Sequence, residues 1–435
     1  MNFREFYNKN IKLAYGCTEP VAVAFAVAHA ARLLGDKPIR KLVVITDRNI
    51  FKNGFGAGIP GSDGKTGNLY AASLGLFIKE PEKGFEIFSN VARDIHEKAD
   101  KFLNEKRVSL LVDKEKKGIF ILAKVYTYDD DYAVAEIKHE HLGLVKLILN
   151  GEIKFEAPTY EENKNNGYNS VSYFGAATVA NIIDYASTIS DEDLELTENV
   201  INANIKASQS GLTIPIGLGL GYSVKKLWDE GKICQCVENY IKYMVAGACD
   251  ARMGGEKVGV MTLCSSGNQG IAASLPVYCF YEYNKLDDRK KLQIALAVSF
   301  MVTAYIKEKL GKLSPVCGCV SASASGATAG IAFLSGASTA EIIDSVSNLL
   351  ADITGVICDG AKGSCSLKLS TACGNSVSYA LLAMNRCVVD EHNGIIEERI
   401  ENTIDNLRKI AQAGMSTVDD EIVKIFENKL KKGKG

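Results

Sequence analysis

The sequence predicts an α+β protein. Its N-terminal part joins a small antiparallel sheet to helices, and its larger C-terminal part is mostly helical. Between residues 108 and 154, short β-branched or aromatic segments alternate with turn signals such as Asn150-Gly151, as in an antiparallel meander. From residue 171 onwards, helical periodicity dominates. The chain has 435 residues, of which 47% are apolar, so it can form two parts, which we place at 1–160 and 170–435.

The N-terminal part is expected to contain a helix that begins at Thr18 or Glu19 and ends near Gly35. Pro20 lies in its first turn, where the missing N–H costs nothing. The further predicted elements are a strand at 41–46, a Gly-rich loop at 49–67, helices at 69–77 and 85–104, and strands at 108–112, 119–128, 132–138 and 144–149.

The polar segment 154–169 lacks periodicity and is the predicted linker. Ser190 precedes an acidic turn and is expected to cap a helix that reaches Ser208. Gly-, Ser- and Ala-rich joints separate the other predicted helices, which are 222–228, 237–245, 290–309, 340–350, 376–384, 399–413 and 419–430. Because this half is helical and rich in Ala, we expect a homodimer.

The composition excludes several classes of protein. Charged residues make up 23% of the chain and the net charge is −2, so no nucleic-acid partner is expected. Residues 1–12 are polar, which is unlike a secretion signal, and the apolar run 21–34 is too short to span a bilayer. The sequence therefore predicts a cytoplasmic protein without a membrane partner, acting on a small molecule.

Twelve cysteines are unusual for such a chain. Cys17 stands directly before a predicted helix, where free N–H groups and the helix dipole would stabilise a thiolate. A small buried residue at a helix entry would fit this position equally well. Most of the other thiols, including Cys264, are expected to be inert core residues.

Two more cysteine groups lie in loops of small residues: Cys317 with Cys319, and Cys358 with Cys365. Neither has zinc or ferredoxin spacing. Thiolates supplied singly from distant loops suit a cluster with three protein ligands and one open iron, which can act as a Lewis acid. The further C-x-C pair at 234–236 falls in a helical pattern and is expected on a buried face.

Polar side chains also stand among glycines in three segments, where backbone can approach a ligand closely. The first, 49–67, has amide and ammonium groups suited to a substrate carboxylate, although a flexible loop with a solvated lysine is the simpler interpretation. The others are 250–255 and 265–270. Each segment alone is weak evidence for a binding site, but together they favour one.

Taken together, these motifs make the sequence similar to the iron–sulfur L-cysteine desulfidase family, which is related to the α part of iron–sulfur L-serine dehydratases. The resemblance covers nearly the whole chain. It rests on GCTEP, KNG, PG, DARMGG, SGNQG, LSxxC and ICDGAxxSCxxKxS at Gly16–Pro20, Lys52–Gly54, Pro60–Gly61, Asp250–Gly255, Ser266–Gly270, Leu313–Cys317 and Ile357–Ser370.

The resemblance implies one 4Fe–4S cluster per chain, held by Cys17, Cys317 and Cys358, with one iron left open. Cys365 lies in the same motif as Cys358 and is the rival ligand. Cys319 is taken as a non-ligand, because relatives lack a cysteine there.

The resemblance also implies β-elimination of L-cysteine to pyruvate, ammonia and sulfide without pyridoxal phosphate. On this hypothesis Lys52 and Asn53 are catalytic, while Glu19 and Asp359 support the ligands. Substrate contacts are expected from Asn49, Ser62, Arg252, Asn268, Gln269 and Lys368.

The chain departs from some relatives at 138–143, where KHEHLG replaces a Gly-His-Thr-Asn signature, and no role is assigned to these histidines. The segment 61–67 is one residue longer than in some relatives, which leaves open which of Ser62, Asp63 or Thr66 faces the site.

Three alternatives remain. The same cluster could dehydrate L-serine, although the motif match favours L-cysteine. A non-catalytic iron–sulfur sensor would not need the polar glycine-lined segments, and no helix-turn-helix pattern accompanies them. A structural protein with buried thiols would lack the visible absorption of a cluster.

Overall fold

A computed structural model of the chain describes residues 1–116, 118–158, 173–311 and 314–432. The predicted α+β class is confirmed. The strands are β1 (Leu13–Tyr15), β2 (Ile39–Thr46), β3 (Val108–Val112), β4 (Phe120–Thr127), β5 (Tyr132–Lys138), β6 (Leu144–Leu149), β7 (Glu152–Glu156) and β8 (Gly259–Met261). The helices are α1 (Phe3–Asn10), α2 (Thr18–Leu33), α3 (Arg48–Gly54), α4 (Asn68–Ile78), α5 (Arg93–Asn104), α6 (Val179–Ala186), α7 (Asp191–Leu194), α8 (Leu196–Thr213), α9 (Leu220–Asp229), α10 (Val237–Met253), α11 (Gly267–Tyr283), α12 (Arg289–Leu310), α13 (Ala324–Leu334), α14 (Thr339–Ile353), α15 (Cys365–Met384), α16 (Ile400–Lys409) and α17 (Val418–Lys431).

The larger sheet has the strand order β3-β2-β4-β5-β6-β7. Of the predicted antiparallel meander, β4 to β6 are formed, and β7, which was not predicted, extends it. β2 lies between β3 and β4 and pairs with β3 in parallel. The expectation that 108–112 belongs to the meander is therefore wrong. Leu42 and Val44 lie on the same face of β2 and are fully buried. β7 occupies the start of the predicted linker, whose residues 159–169 lie outside the described residues.

Helix α2 begins at Thr18 as predicted and is buried on nearly all sides. It lies between the sheet and α4, and its small residues permit close packing. A Cβ atom on Gly75 of α4 would lie 2.5 Å from the carbonyl oxygen of Ala24. The predicted helix at 85–104 is shorter than expected. It starts at Arg93, after a 3₁₀ segment at Pro81–Glu86 that is broken at Gly84.

Three helices of the C-terminal part, α6, α11 and α13, were not predicted as helices. The last two arise within or directly after the segments expected to be joints. A π-helical turn, Cys319–Ser323, leads directly into α13. Ser321 and Ser325 do not break the helix, because their hydroxyls donate to the carbonyls of Cys317 at 3.0 Å and Ser321 at 2.7 Å, one turn earlier.

Each end of the chain packs against the half of the protein that contains the other end. Helix α1, which was not predicted, packs Phe3 and Phe6 into the core of the helical half. β1 pairs with β8, and Phe426 of α17 stacks on Phe55 beside α3 at 4.3 Å. The domain boundary at 160–170 stays a prediction. Within the described residues, every helix is too short or too polar to cross a bilayer.

Candidate active site

A cavity of about 100 Å³ lies where the first turns of α2 and α11, the last turns of α3 and α10, and the loops before α13 and α15 converge. It gathers most of the predicted site residues: Cys17, Glu19, Asn53, Arg252, Asn268, Gln269, Cys317, Cys358, Cys365 and Lys368. Asn49, Lys52, Ser62 and Asp359 are not among the residues that line it. Segments hundreds of residues apart in sequence thus supply one site.

Cys17 occupies the predicted position at the start of α2. Its Sγ donates a hydrogen bond of 2.8 Å to Oε2 of Glu19. Burial and the neighbouring Glu19 carboxylate raise the pKa of the Cys17 thiol. The expected stabilisation of a thiolate by the helix start is therefore outweighed by desolvation.

The loops that carry Cys317 and Cys358 are joined by backbone hydrogen bonds. The Cys317 amide donates to Val356 at 2.9 Å, and the Cys358 amide donates to Pro315 at 2.6 Å. A hydrogen bond from the Cys319 thiol lowers the pKa of Cys317, although burial opposes this effect. Cys319, which was set aside on sequence grounds, thus acts on the sulfur of a predicted ligand.

Lys52 has surroundings that the sequence did not predict. The segment expected to be a loop forms α3, because Asp47 accepts hydrogen bonds from the amides of Asn49 and Ile50. Lys52 is only 1% exposed, and its Nζ lies 2.6 Å from Oδ1 of Asp419 in α17. The expectation of a solvated loop lysine is wrong. The catalytic role of Lys52 stays a prediction.

Although Lys52 does not line the cavity, it belongs to a helix that contacts one of the lining loops. The backbone of α3 meets the Cys358 loop, where the amide of Ala361 donates to the carbonyl of Asn53 at 3.2 Å. Burial raises the pKa of Cys358, and the Lys52 charge opposes that rise. The ammonium group therefore favours a thiolate on Cys358 without lining the cavity.

Glu19 is the centre of a buried polar network. Asn53 donates from Nδ2 to Oε1 of Glu19 at 3.1 Å, and Nε2 of His141 lies 3.9 Å from the same oxygen. Burial opposes ionisation of Glu19, but His141 and the Cys17 thiol hold the pKa of this carboxyl at about 2. His141 lines the cavity and was missed in the sequence, because the KHEHLG segment matches no family signature.

Arg252 lies in the last turn of α10 rather than in the loop that its glycine neighbours indicated. Its guanidinium donates to the carbonyl of Gly16 at 3.1 Å and to Oδ1 of Asn268 at 2.9 Å. Within the described residues, Oδ1 of Asn53 and Oε1 of Gln269 are buried without hydrogen-bond partners. Since such atoms are costly to leave unpaired, they indicate a polar ligand in the cavity.

The remaining predicted residues have mainly structural partners. Lys368 lines the cavity and donates to Asp359 at 2.5 Å, so Asp359 acts through this lysine. The Ser62 hydroxyl donates to the carbonyl of Ile59 at 2.6 Å, which closes a turn. Asn49 begins α3 and lies away from the cavity lining.

Two further lining residues were missed. Lys307 lies in the last turn of α12 and is only 6% exposed. Its position in the charged run Lys307–Lys309 gave no sign of burial. Burial lowers the pKa of Lys307. Cys264, expected to be an inert core residue, also lines the cavity and has a positive φ of 50°. Backbone of this kind is uncommon outside glycine and is frequent at functional sites.

The donor set of this cavity fits an iron–sulfur cluster. Its lining includes six thiols, and thiolates are the ligands that hold such clusters. Among the described residues, no three His, Cys, Asp or Glu side chains are placed to hold one metal ion together. Ligands of a cluster stand farther apart, because each binds a different iron. Cys17, Cys317 and Cys358 would hold the group from three separate elements.

Comparison with known proteins identifies the family of this chain. The family model described as serine dehydratase alpha chain matches residues 82–424. A UPF0597 protein of Clostridioides difficile is 33% identical over 98% of this chain and 99% of its own length. Proteins of the same name from Desulfatibacillum aliphaticivorans and Clostridium botulinum are 35% and 36% identical over 96% and 97% of this chain, and 95% of their own lengths. This chain belongs to the serine dehydratase alpha chain family.

Proposed function

We propose that the protein is a lyase that converts L-cysteine to pyruvate, ammonia and sulfide. The observation that carries this proposal is the single cavity in which Cys17, Cys317 and Cys358 meet the buried cationic and amide groups of Arg252 and Asn268. A 4Fe–4S cluster held by the three thiolates would supply an open iron as a Lewis acid for the leaving sulfur.

The protein's own residues hold the rest of the substrate. Arg252 is buried and fixed by Gly16 and Asn268, which orients its guanidinium for a carboxylate. The unpaired carbonyl oxygens of Asn53 and Gln269 are acceptors suited to a substrate ammonium group. The Cα–H and Cβ–S bonds break, the proton passes to a protein base, and the enamine product becomes an imine that water hydrolyses.

L-Serine is the second candidate substrate, because the matching family model is described as serine dehydratase alpha chain. The same residues would bind its carboxylate and ammonium groups, and hydroxide would leave in place of sulfide. The closer motif match to cysteine desulfidases supports L-cysteine.

The test is anaerobic reconstitution with iron and sulfide, followed by assays of sulfide and pyruvate with each amino acid. We expect about four irons per chain, pyruvate from L-cysteine at a higher kcat/KM than from L-serine, and loss of activity in air because the open iron is exposed to oxygen. Faster turnover of L-serine would make the protein a serine dehydratase. A reconstituted cluster without either reaction would support the sensor hypothesis.

A further inference from the structure

One imidazole lines the cavity without a role in the chemistry described so far. His141 lies in the turn between β5 and β6 and is 5% exposed. Within the described residues its Nε2 has no hydrogen-bond partner, and Oε1 of Glu19 lies 3.9 Å away. Leaving a buried polar atom unpaired is costly. This nitrogen is therefore placed to contact a ligand bound in the cavity.

The turn is built to hold His141 in this position. The amide of Lys138 donates to Gly143 at 2.9 Å, and the amide of Gly143 donates to Glu140 at 3.0 Å. A Cβ on Gly143 would lie 2.2 Å from the carbonyl oxygen of Lys138, so this position requires glycine. Leu142 packs against two apolar clusters of the N-terminal half. His141 is buried while His139 is exposed, so the turn directs one histidine inward.

Three of the other cationic groups near the cavity are engaged. Lys52 pairs with Asp419, Lys368 pairs with Asp359, and Arg252 donates to Gly16 and Asn268. An ammonium group held in an ion pair keeps its proton and is a poor base. An imidazole nitrogen can accept a proton, and the Glu19 carboxyl oxygen 3.9 Å from Nε2 is placed to stabilise the imidazolium that forms.

We propose that His141 is the base that removes the Cα proton of the substrate, with Glu19 as the positioning residue for its imidazole. This inference rests on the proposed lyase function. The electrons of the Cα–H bond form the Cα–Cβ double bond, the proton moves to Nε2 of His141, and the electron pair of the Cβ–S bond leaves with sulfur. No oxidant or reductant is required.

The experiment compares His141→Gln with wild type and with His139→Asn, a control in the same turn that tolerates its positive φ of 67°. Iron content, kcat, KM and exchange of the substrate Cα–H in deuterated water are measured for each. We expect His141→Gln to keep its iron and to lose about two to four decades in kcat and in exchange rate, with little change in KM. His139→Asn should match wild type in all four measurements.

Lys307→Met tests a competing base, because Lys307 is a buried lysine that also lines the cavity. Wild-type exchange in His141→Gln together with its loss in Lys307→Met would overturn the proposal and make Lys307 the base. Loss of iron from His141→Gln would also overturn it, since His141 would then support the cluster. Absence of sulfide and pyruvate from the wild-type enzyme would instead refute the lyase function.

Discussion

At the scale of single residues, the cavity depends on three thiols that arrive from different directions. Cys17 begins α2, Cys317 precedes the π-helical turn, and Cys358 lies in the loop before α15. Cys365 is the first residue of α15 and also lines the cavity, so the choice between Cys358 and Cys365 requires a measurement.

Replacing Cys17, Cys317 or Cys358 by Ala is expected to remove the bound iron and abolish activity, because each supplies one thiolate. Iron and sulfide per chain after anaerobic reconstitution are the measurement. Cys387→Ala is the control, because this cysteine is exposed and does not line the cavity. If Cys365→Ala loses the cluster and Cys358→Ala keeps it, the ligand assignment within that motif is wrong.

The ion pair between Lys52 and Asp419 gives a second prediction at this scale. Lys52→Met would leave the carboxylate of Asp419 in a site where its side chain is only 14% exposed. We expect the free energy of unfolding to fall by about 3 kcal/mol, because a buried charge loses its partner. Denaturant unfolding measures this change.

Asp420→Asn is the matched control for this pair. Asp420 is the neighbour of Asp419 and pairs with Arg48, but both of these side chains are about 30% exposed. Its loss should cost less than about 1 kcal/mol. Equal effects of the two variants would show that Lys52 is not a buried structural charge.

At the scale of helices and strands, close contact between α8 and α10 fixes the helix that carries Arg252. A Cβ on Gly211 of α8 would lie 2.0 Å from the carbonyl oxygen of Gly247 in α10. Gly211→Ala is therefore expected to lower the free energy of unfolding by about 1–3 kcal/mol and to lower activity by displacing α10.

Gly355→Ala is the control for this contact. Gly355 has no neighbour within 4 Å of an added Cβ and no positive φ. Thermal unfolding of both variants provides the comparison. A Gly211→Ala protein as stable as Gly355→Ala would contradict the close contact of the two helices.

The start of α3 gives a pH-dependent prediction. Burial raises the pKa of Asp47 from 3.8 to about 6. The folded protein therefore holds this proton more tightly than the unfolded chain does. The stabilisation that results is complete below pH 3.8 and is lost as the pH rises through about 6. We expect the free energy of unfolding of wild type, relative to the non-titrating Asp47→Asn, to fall between about pH 4 and 6. A difference that is constant with pH would contradict the raised pKa.

At the scale of the whole molecule, the site exists only because the two halves of the chain meet. The N-terminal half supplies Cys17, Asn53 and His141, whereas the C-terminal half supplies Arg252 and the remaining thiols. Helix α17 returns to α3 and covers Phe51 and Lys52. The last helix of the chain thus supports the element beside the Cys358 loop.

The expected homodimer is also a property of the whole molecule. On the described surface, α15 exposes Leu367, Leu381 and Leu382, whose exposed fractions are 48%, 42% and 40%. Apolar side chains of this size on one helix are typical of a surface that another chain covers. Light scattering is expected to give twice the chain mass of 47.0 kDa. The mass of a single chain would refute the dimer.

The sequence by itself determined the α+β class, the start of α2 at Thr18 and most helices of the second half, because these depend on local periodicity and capping. It also indicated ten of the residues that line the cavity, since cysteines and polar side chains among glycines are visible without a fold. Both kinds of signal are local in the chain.

The tertiary structure alone decided what depends on contacts between distant segments. Nothing near Lys52 in the sequence indicates Asp419, and a lysine among asparagine and glycine is typical of a loop until Asp47 caps α3. The position of β2 between β3 and β4 depends on pairing with strands that are distant in the sequence. His141 enters the cavity because a turn anchored by Gly143 packs against the core. Burial and pairing across the fold, rather than local residue preference, set the charge and position of these groups.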